Sequence, residues 1–376
     1  MNLFVFNDPH GYNLNLVIDH CKNSSLLENN LFVNLTKKTI YKNDKAEYLD
    51  HNLRSFKNKI RTLPVITSVI FCPLDQAAAY FLKELKRVQP SARVRWVFWS
   101  YEFYHLPGSY QKLLRGYSLE TYIKRNSGFD NLVNKVKDIA KTFLRIPSLN
   151  VKGLNNAYKH VSEFYSFLPQ DHKNVQRKAP LLTAKHHQIS FLSIEQISQS
   201  TKKSDFLSHE IIIGHSARLT GNHIEIFKTL SMIPINNKIF IPLAHGDADY
   251  KYDVQKNALE YFGNRVEFLE EELNMQAYFD RISGPGFAVF NFTMQEGLGN
   301  ILFLLWNGSK VFLRPESSAY QQFKAWGLIV FSVESDLTEF NLSQLLDNAS
   351  ANANRFILEK MFCDDKVKEY WKPLFQ

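Results

Sequence analysis

Two glycine-containing segments in the second half of the chain have the composition of an anion-binding turn. Each follows a predicted strand and precedes a predicted helix, so backbone N–H groups at the helix start are free to bind a diphosphate. The candidate ligand contacts in residues 214–223 are Gly214, Ser216, Thr220 and Asn222. Those in residues 292–300 are Gln295, Glu296, Gly297, Gly299 and Asn300. Neither segment is a Walker A or a complete GxGxxG motif, so an ordinary strand-to-helix turn stays an alternative for both.

Polar side chains follow two further strands predicted in the second half. Arg314 could offset phosphate charge, and the nearby carboxylate of Glu316 could accept hydrogen bonds from ribose or sugar hydroxyls. His245 and Tyr250 follow the other strand, where they could contact a nucleotide. A surface ion pair and a solvated loop are the alternatives. Ligands of open parallel sheets bind beyond the carboxyl ends of the strands, which is where these side chains are expected to lie.

Candidate catalytic groups lie in the first half of the chain. Glu102 follows the predicted strand 94–99 and stands among aromatic residues. Burial there would raise its pKa and suit it to act as a general base, although a glutamate facing water is the alternative. Asp8 and His10, which follow the first predicted strand, are rival candidates, unless they only form a turn. Aromatic faces suit sugar rings and isoprenoid chains, and the candidate contacts are Trp96, Trp99 and Tyr104.

The elements that position these residues alternate between apolar strands and amphipathic helices. With 376 residues, 45% of them hydrophobic and 22% charged, the chain is long enough for two globular domains and too apolar for disorder. The alternation predicts an α/β fold of two Rossmann-like parallel-sheet domains facing a cleft. We place the domains at 1–190 and 191–376, with a linker near 185–208, a helical region over 108–168 and the last helices free to pack on the first domain.

The net charge of +8 is uneven along the chain. Residues 105–188 contain 14 Lys and Arg against five Asp and Glu, so they carry the whole positive excess. Such a stretch suits an anionic surface, either membrane or nucleic acid. Two segments, 110–117 and 132–145, mix basic, apolar and aromatic residues as interfacial helices do, although a core helix with a solvated lysine face has the same pattern.

The cysteines and the N-terminus indicate a cytoplasmic protein. Three cysteines without a pairing or zinc-binding pattern point to a reducing compartment. Residues 1–8 have the pattern of a strand rather than of a signal peptide, and no apolar run approaches the ~18 residues of a transmembrane helix.

Taken in order, these motifs resemble one family. Tryptophans separated by two residues precede an acid and a tyrosine; a GxS turn, an Ile-Pro strand end, the string QEGLGN and a post-strand glutamate follow. This order resembles the TDP-4-acetamido-4,6-dideoxygalactose (Fuc4NAc) transferases of the enterobacterial common antigen pathway, glycosyltransferase family 56. The resemblance is firmest over 211–320 and weaker over 96–104.

The resemblance implies a GT-B fold with the acceptor in the first domain and the nucleotide-sugar in the second. The implied donor is a TDP-linked deoxyamino sugar, and the implied acceptor is an undecaprenyl-diphosphate-linked saccharide on the cytoplasmic face of the inner membrane. Three residues depart from the family pattern, namely Glu102 for Asp, Ser100 for Gly and Glu296 for Gln. These departures bear on the identity of the sugars more than on the reaction.

No cofactor or metal is expected, because no DxD motif follows a strand of the second half; Asp247-Ala248-Asp249 opens a helix instead. One alternative is a GT-B glycosyltransferase that uses another nucleotide-sugar or a soluble acceptor. A nucleic-acid-binding protein would use the basic stretch, but the chain lacks a recognisable nucleic-acid-binding motif.

Overall fold

The chain divides into two compact units. The computed structural model describes residues 1–23, 28–106, 109–127, 151–199 and 207–375. The first unit consists of Met1–His105, Ser127–Phe191 and Glu369–Gln376, and the second of Leu106–Asn126 and Leu192–Lys368. The segment Leu106–Asn126 therefore belongs to the second unit, although the sequence analysis placed it with the first.

The described part of the first unit contains a seven-stranded parallel sheet in the order β3-β2-β1-β4-β5-β6-β7. Its central strand β4 is apolar and buried along its whole length, as expected when helices cover both faces of a parallel sheet. The strands are β1 (Asn2–Phe6), β2 (Asn30–Asn34), β3 (Ala46–Tyr48), β4 (Ser68–Cys72), β5 (Arg93–Val97), β6 (Val161–Ser166) and β7 (Lys185–Gln188). The helices are Tyr12–Asn23, Leu53–Thr62, Gln76–Val88, Tyr101–Tyr104, Val151–Tyr158, Pro169–Lys178 and the end of Asp364–Phe375.

The second unit repeats this architecture with six parallel strands in the order β10-β9-β8-β11-β12-β13. The strands are β8 (Ser208–Ile213), β9 (Ile239–Pro242), β10 (Val266–Leu269), β11 (Pro285–Phe290), β12 (Lys310–Leu313) and β13 (Phe331–Ser332). The helices are Gly116–Ser127, Ile194–Gln199, His223–Ser231, Ala248–Phe262, Met275–Ile282, Leu298–Asn307, Ser318–Trp326, Glu339–Ser343 and Asn348–Phe362. The two parallel-sheet Rossmann-like domains predicted from the sequence are confirmed.

Two strands lie where the sequence analysis predicted other structure. β6 crosses the end of the predicted helical region, and β7 falls inside the predicted linker. β7 reads Lys-His-His-Gln, and its histidines pack by stacking rather than by apolar burial. The His186 ring lies 5.2 Å from His172, and His187 lies 4.9 Å from Tyr165. A polar edge strand of this kind lacks the apolar run that identifies a buried strand in a sequence.

The C-terminal residues are part of the first unit. Trp371 is buried, and its indole N–H donates to the Ser190 carbonyl at 2.7 Å. The ring of Trp371 stacks on His20 at 3.9 Å. From β5, Arg95 donates to the Leu374 carbonyl at 2.7 Å. These contacts close the core of the first unit with the last turns of the chain.

Candidate active site

Glu102 occupies a buried position after β5, in the short helix Tyr101–Tyr104. Its Oε1 accepts hydrogen bonds from the Trp96 indole N–H at 3.0 Å and from the Trp99 backbone N–H at 2.9 Å. Its Oε2 is also buried and has no hydrogen-bond partner among the described residues. One carboxylate oxygen is thus held in place while the other keeps its capacity to accept a proton.

Burial raises the pKa of Glu102 to about 8. The hydrogen bonds from Trp99 and Trp96 oppose this shift by stabilising the carboxylate, and the charge of Asp75 adds to it. A carboxyl group with a pKa near the working pH can accept a proton and release it again, which is the requirement for a general base. The raised pKa predicted for Glu102 from its aromatic surroundings is therefore confirmed.

Ser100 turns the chain from β5 into this helix with a φ of +77°. Such an angle is uncommon for a residue with a Cβ and is adopted readily by glycine. At this position the family resemblance noted in the sequence implies glycine. The backbone requirement therefore remains in this chain, and the serine meets it at a cost in conformational strain.

Asp8, a rival candidate, is engaged in forming a turn. Its carboxylate accepts backbone N–H bonds from His10, Gly11 and Leu14 at 3.2, 2.8 and 3.1 Å. Only 5% of the residue is exposed. These bonds fix the start of the helix Tyr12–Asn23 and occupy both carboxylate oxygens, so the structure does not support a catalytic role for Asp8. His10 is exposed and remains an accessible rival to Glu102.

The aromatic residues expected to contact an acceptor differ in accessibility. Trp96 is completely buried and stacks on Tyr158 with ring centroids 5.1 Å apart, so its proposed acceptor contact is corrected to a core position. Tyr104 is also buried, with the Lys178 ammonium 5.1 Å above its ring, and is corrected in the same way. Trp99 is partly exposed and stacks on Phe191 at 4.5 Å. Of the three, Trp99 alone keeps a face within reach of a ligand.

In the second unit, two glycines with positive φ lie at the carboxyl ends of neighbouring strands. Gly214 follows β8 with a φ of +68°, and Gly297 caps the helix Leu298–Asn307 with a φ of +59°. Each lies against an imidazole. A Cβ on Gly214 would lie 2.3 Å from His223 Nε2, and one on Gly297 would lie 2.7 Å from His215 Cδ2. Both turns therefore require glycine. The Gly214 N–H is itself occupied, because it donates to the Val289 carbonyl at 3.0 Å.

A buried Glu–His pair stands beneath these turns. Glu296 Oε2 lies 3.6 Å from His215 Nε2, with only 4% of the glutamate side chain exposed. Burial acts to raise the pKa of Glu296, but the nearby His215, aided by Thr220 and Arg218, lowers it below its usual value. The carboxylate is therefore ionised and tied to the loop 214–220. Glu296 is therefore placed to orient His215 rather than to contact a ligand from solvent.

His223 is the first residue of its helix and is completely buried. Its backbone N–H donates to Tyr250 Oη at 3.2 Å, and its Nδ1 lies 3.4 Å from the same oxygen. Its Nε2 has no hydrogen-bond partner among the described residues and lies against Gly214. Burial, with repulsion from His215, lowers the pKa of His223 to about 4, so the ring is neutral.

Two of the predicted ligand contacts instead hold the site together. Asn222 is completely buried, and its side-chain amide donates to the carbonyls of Leu113, Thr220 and Asn291. Tyr250 is completely buried, and its hydroxyl lies 3.2 Å from Ser118 Oγ in addition to its contacts with His223. Both predictions are corrected, because neither side chain reaches the surface of its unit.

Arg314 and Glu316 lie beyond β12, as predicted. Arg314 donates to Asn291 Oδ1 at 2.9 Å and to Glu334 Oε1 at 3.0 Å. Glu316 has half of its side chain exposed and lies 3.7 Å from Arg314 and 3.8 Å from Arg115. The carboxylate of Glu316 is accessible to a ligand, whereas Arg314 must exchange an acidic partner to meet a phosphate.

The remaining residues predicted to bind the donor differ in their exposure. Ser216 and Thr220 are buried in the loop after β8, while His245 is exposed and lies 3.7 Å from Glu272. Asn300 donates to Tyr278 Oη at 2.9 Å. Gly299 and Gln295 belong to the turn that opens the helix Leu298–Asn307, and each is partly exposed.

Two residues of this site were not predicted. His215 lies inside the first glycine segment, and its importance comes from its contact with Glu296, which is 81 positions away in the sequence. Arg218 is exposed in the same loop and acts on the charge of Glu296. A basic residue within a glycine-containing turn is a signal that could have identified Arg218. For His215, no such local signal exists.

The two predicted interfacial segments fare differently. In the first, Leu113 and Leu114 are buried, and Tyr110 and Tyr117 pack against the core of the second unit. That segment is therefore corrected to a core element, since its apolar groups are already covered. The second segment, 132–145, lies outside the described residues. Within the described ranges, no helix is long and apolar enough to cross a membrane, and no group of three or more His, Cys, Asp or Glu could hold a metal ion.

Comparison with solved structures establishes the fold. Anabaena HepE, in complex with UDP and glucose, has 13% identity and a TM-score of 0.60, covering 100% of this chain and 99% of that chain. Sucrose-phosphate synthase from Thermosynechococcus elongatus has 10% identity and a TM-score of 0.61 over 100% and 98%. The UDP-forming α,α-trehalose-phosphate synthase from Burkholderia xenovorans has 9% identity and 0.60 over 99% and 98%. The chain has the GT-B glycosyltransferase fold.

The family follows from the sequence. The model of the family described as 4-alpha-L-fucosyltransferase glycosyl transferase group 56 matches residues 157–356, which is more than half of the chain. The chain belongs to this family, and it is a hexosyltransferase. A comparison with curated protein sequences found no significant match.

Proposed function

We propose that the protein transfers a 4-acetamido-4,6-dideoxyhexose from a TDP-sugar to an undecaprenyl-diphosphate-linked saccharide during the synthesis of a surface polysaccharide. Membership of glycosyltransferase group 56 across residues 157–356 is the observation that carries this proposal. The TDP-linked donor and the lipid-linked acceptor come from the family resemblance in the sequence motifs. The reaction takes place on the cytoplasmic face of the inner membrane.

The donor diphosphate binds at the N-terminus of the helix Leu298–Asn307, with Gly214 and Ser216 on its other side. Backbone N–H groups and the positive end of the helix dipole stabilise the charge that develops on the departing TDP. Arg218, exposed in the same loop, adds a cation that has no acidic partner within 4.0 Å among the described residues. These groups do the work that a divalent metal does elsewhere, so we propose a reaction without metal. Glu316 accepts hydrogen bonds from the ribose or the sugar.

Glu102 takes the proton from the attacking acceptor hydroxyl if the reaction inverts the anomeric centre. Its unpartnered Oε2 is the accepting atom, and its Oε1 is fixed by Trp96 and Trp99. His10 is the alternative base. Trp99 offers an aromatic face to the acceptor saccharide.

The second candidate is a GT-B glycosyltransferase with another nucleotide-sugar or a water-soluble acceptor. The structure of HepE contains UDP and glucose, and that of the trehalose-phosphate synthase contains glucose-6-phosphate. Those proteins share the fold but have very different sequences. Their ligands therefore support this candidate less strongly than the family membership supports the first.

Thermal stabilisation by nucleotides separates the candidates, since a ligand that binds the folded state raises the unfolding temperature. The unfolding midpoint is measured with TDP, UDP, GDP and single-stranded RNA at equal concentrations. We expect TDP to raise it most. Stronger stabilisation by UDP supports the second candidate, and stabilisation by RNA alone contradicts both.

A further inference from the structure

We infer that an apolar patch on the first unit docks the protein on an anionic lipid bilayer. The patch consists of Tyr12, Leu16, Ile40 and Tyr41, at the start of the helix Tyr12–Asn23 and in the loop 36–45. The inference deepens the proposed function, which places the acceptor in a membrane. It gives the protein a membrane contact outside both segments that the sequence predicted.

The patch residues are exposed and adjacent. Their exposed fractions are 57% for Tyr12, 37% for Leu16, 66% for Ile40 and 51% for Tyr41. The rings of Tyr12 and Tyr41 are 5.1 Å apart, and Leu16 lies one helical turn beyond Tyr12. Large apolar side chains grouped in this way at a surface indicate a binding face.

Backbone contacts hold the patch in a fixed shape. The N–H groups of Ile40 and Tyr41 donate to the carbonyls of Pro9 and His10 at 3.1 and 2.9 Å. Gly11 has a φ of +88°, and a Cβ there would lie 2.1 Å from the Tyr41 carbonyl oxygen. The loop therefore lies directly on the helix start, and docking does not require it to be ordered first.

Lysines surround the patch. The loop 36–45 contains Lys37, Lys38, Lys42 and Lys45 and a single acid, Asp44. Lys37 pairs with Asp50 at 2.9 Å, and Lys45 lies 3.9 Å from Asp44. Lys38 and Lys42 are exposed and make no ion pair with any described residue, and the Lys42 ammonium lies 5.6 Å from the centroid of the Tyr48 ring. No described carboxylate therefore competes with an anionic partner for these two charges.

This chemistry fits a lipid surface better than a protein partner. Tyrosine beside aliphatic side chains, with lysines at the edge, is the combination that lies at the boundary of headgroups and acyl chains. The lysines are attracted to anionic headgroups while the apolar groups insert to a shallow depth. Four apolar side chains are also far fewer than the roughly 20–30 residues a side of a stable protein interface.

The patch borders a cavity of the first unit. This cavity has a volume of about 510 Å³ and lies beyond the carboxyl ends of β1 and β2. Its lining includes Pro9, Lys37 and Lys38, which belong to the same loops as the patch. A phosphate group at the bilayer surface would therefore meet the ammonium group of Lys38 beside the docked patch.

Co-sedimentation of the whole protein with vesicles tests the inference. One vesicle type is phosphatidylcholine alone, and the other is an equal mixture of phosphatidylcholine and phosphatidylglycerol. The charge variant is Lys38→Gln/Lys42→Gln, with Lys83→Gln/Lys159→Gln as its control, because the control removes the same charge from exposed positions of the same unit. The apolar variant is Ile40→Ser/Tyr41→Ser, with Val65→Ser as its control, since Val65 is 82% exposed outside the patch.

We expect the wild type to bind the mixed vesicles more tightly than the neutral ones. Each lysine near an anionic surface contributes about fivefold to partitioning, so the charge variant should lose about 30-fold. The apolar variant should lose about tenfold on the mixed vesicles. Both controls should stay within about twofold of the wild type, because a lysine or valine outside the patch does not approach the bilayer.

Three results would overturn the inference: no wild-type binding to the mixed vesicles, equal losses in patch and control variants, or no loss in either patch variant. Circular dichroism confirms that each variant is folded. The assay contains neither nucleotide-sugar nor acceptor, so its outcome is independent of whether the proposed transfer reaction occurs.

Discussion

The Trp96 indole N–H donates a 3.0 Å hydrogen bond to Glu102 Oε1, linking a completely buried tryptophan to a buried carboxylate. The bond fixes the direction of the carboxylate from within the core. It leaves Oε2 without a partner among the described residues. If Glu102 is the general base, Trp96 is a positioning residue that acts on an acceptor only through Glu102.

If Glu102 is the general base, Glu102→Gln should lower kcat by ~10²–10⁴-fold with little change in TDP affinity. In the wild type, kcat should rise with pH around a midpoint of about 8, because the carboxylate must be ionised to accept a proton. Glu28→Gln, at an exposed position, is the control. A loss of less than about tenfold in the Glu102→Gln variant would transfer the role to His10.

The same pKa makes stability depend on pH. The raised folded-state pKa means that the contribution of Glu102 is complete below its ordinary value of 4.5 and is lost as pH rises to about 8. Glu102→Gln should remove this part of the decline, so the difference in unfolding temperature between variant and wild type should grow over that range. A difference that does not change with pH would contradict the burial of the carboxyl group.

The folded protein should be more stable with glycine at position 100 than with alanine. Both substitutions remove the hydroxyl, but only glycine relieves the strain at a φ of +77°. We expect Ser100→Gly to unfold about 2–4 °C above Ser100→Ala, corresponding to about 1 kcal/mol. Ser109, with a φ of −92°, is the control position, where alanine should be the more stable of the two. The same order at both positions would contradict the strain at Ser100.

The sequence predicts the sheets better than it predicts the use of their loops. The apolar runs of β4 and β11 identify them as buried strands, and Asp75, a residue type typical of helix starts, caps its helix by accepting a hydrogen bond from the Ala78 N–H at 2.9 Å. The sequence analysis did not predict β6 or β7. β7 depends on stacking between its histidines and rings on separate elements, which has no local sequence pattern.

The same reason limits the prediction of the site. The glycine turns could be located, because a turn followed by a helix has a local sequence pattern. Whether Asn222, Tyr250 or Trp96 faces a ligand depends on which distant residues cover it, and all three are completely buried. The Glu296–His215 pair joins two strand ends that are adjacent in the sheet but far apart in the chain.

Gly297→Ala should weaken TDP binding by at least about tenfold, because the added Cβ would lie 2.7 Å from His215 Cδ2 and displace the turn. Gly327→Ala is a matched control, because Gly327 also lies in the left-handed region, with a φ of +85°, and an added Cβ there would meet Ile357 Cδ1 at an ordinary contact distance of 3.6 Å. Both variants therefore bear similar backbone strain. Calorimetric titration with TDP should find a loss for Gly297→Ala only, and equal affinities in the two variants would remove the diphosphate from this turn.

Glu316→Ala should lower TDP affinity by about tenfold to a hundredfold if the carboxylate binds the ribose. Glu334→Ala is the control, because Glu334 is similarly exposed and also pairs with Arg314. Freeing Arg314 from Glu334 should leave TDP affinity unchanged or increase it. Unchanged affinity in the Glu316→Ala variant would show that the ribose assignment is wrong.

The most direct test of the proposed function is to detect the transferred sugar on the acceptor. The protein is incubated in EDTA with TDP-4-acetamido-4,6-dideoxygalactose and a polyprenyl-diphosphate-linked saccharide, and the lipid product is analysed by mass spectrometry. We expect an acceptor heavier by one acetamidodideoxyhexose residue, with release of TDP. Two results would contradict the proposed reaction. One is transfer from a UDP-sugar but not from the TDP-sugar, and the other is transfer only after Mg²⁺ is added.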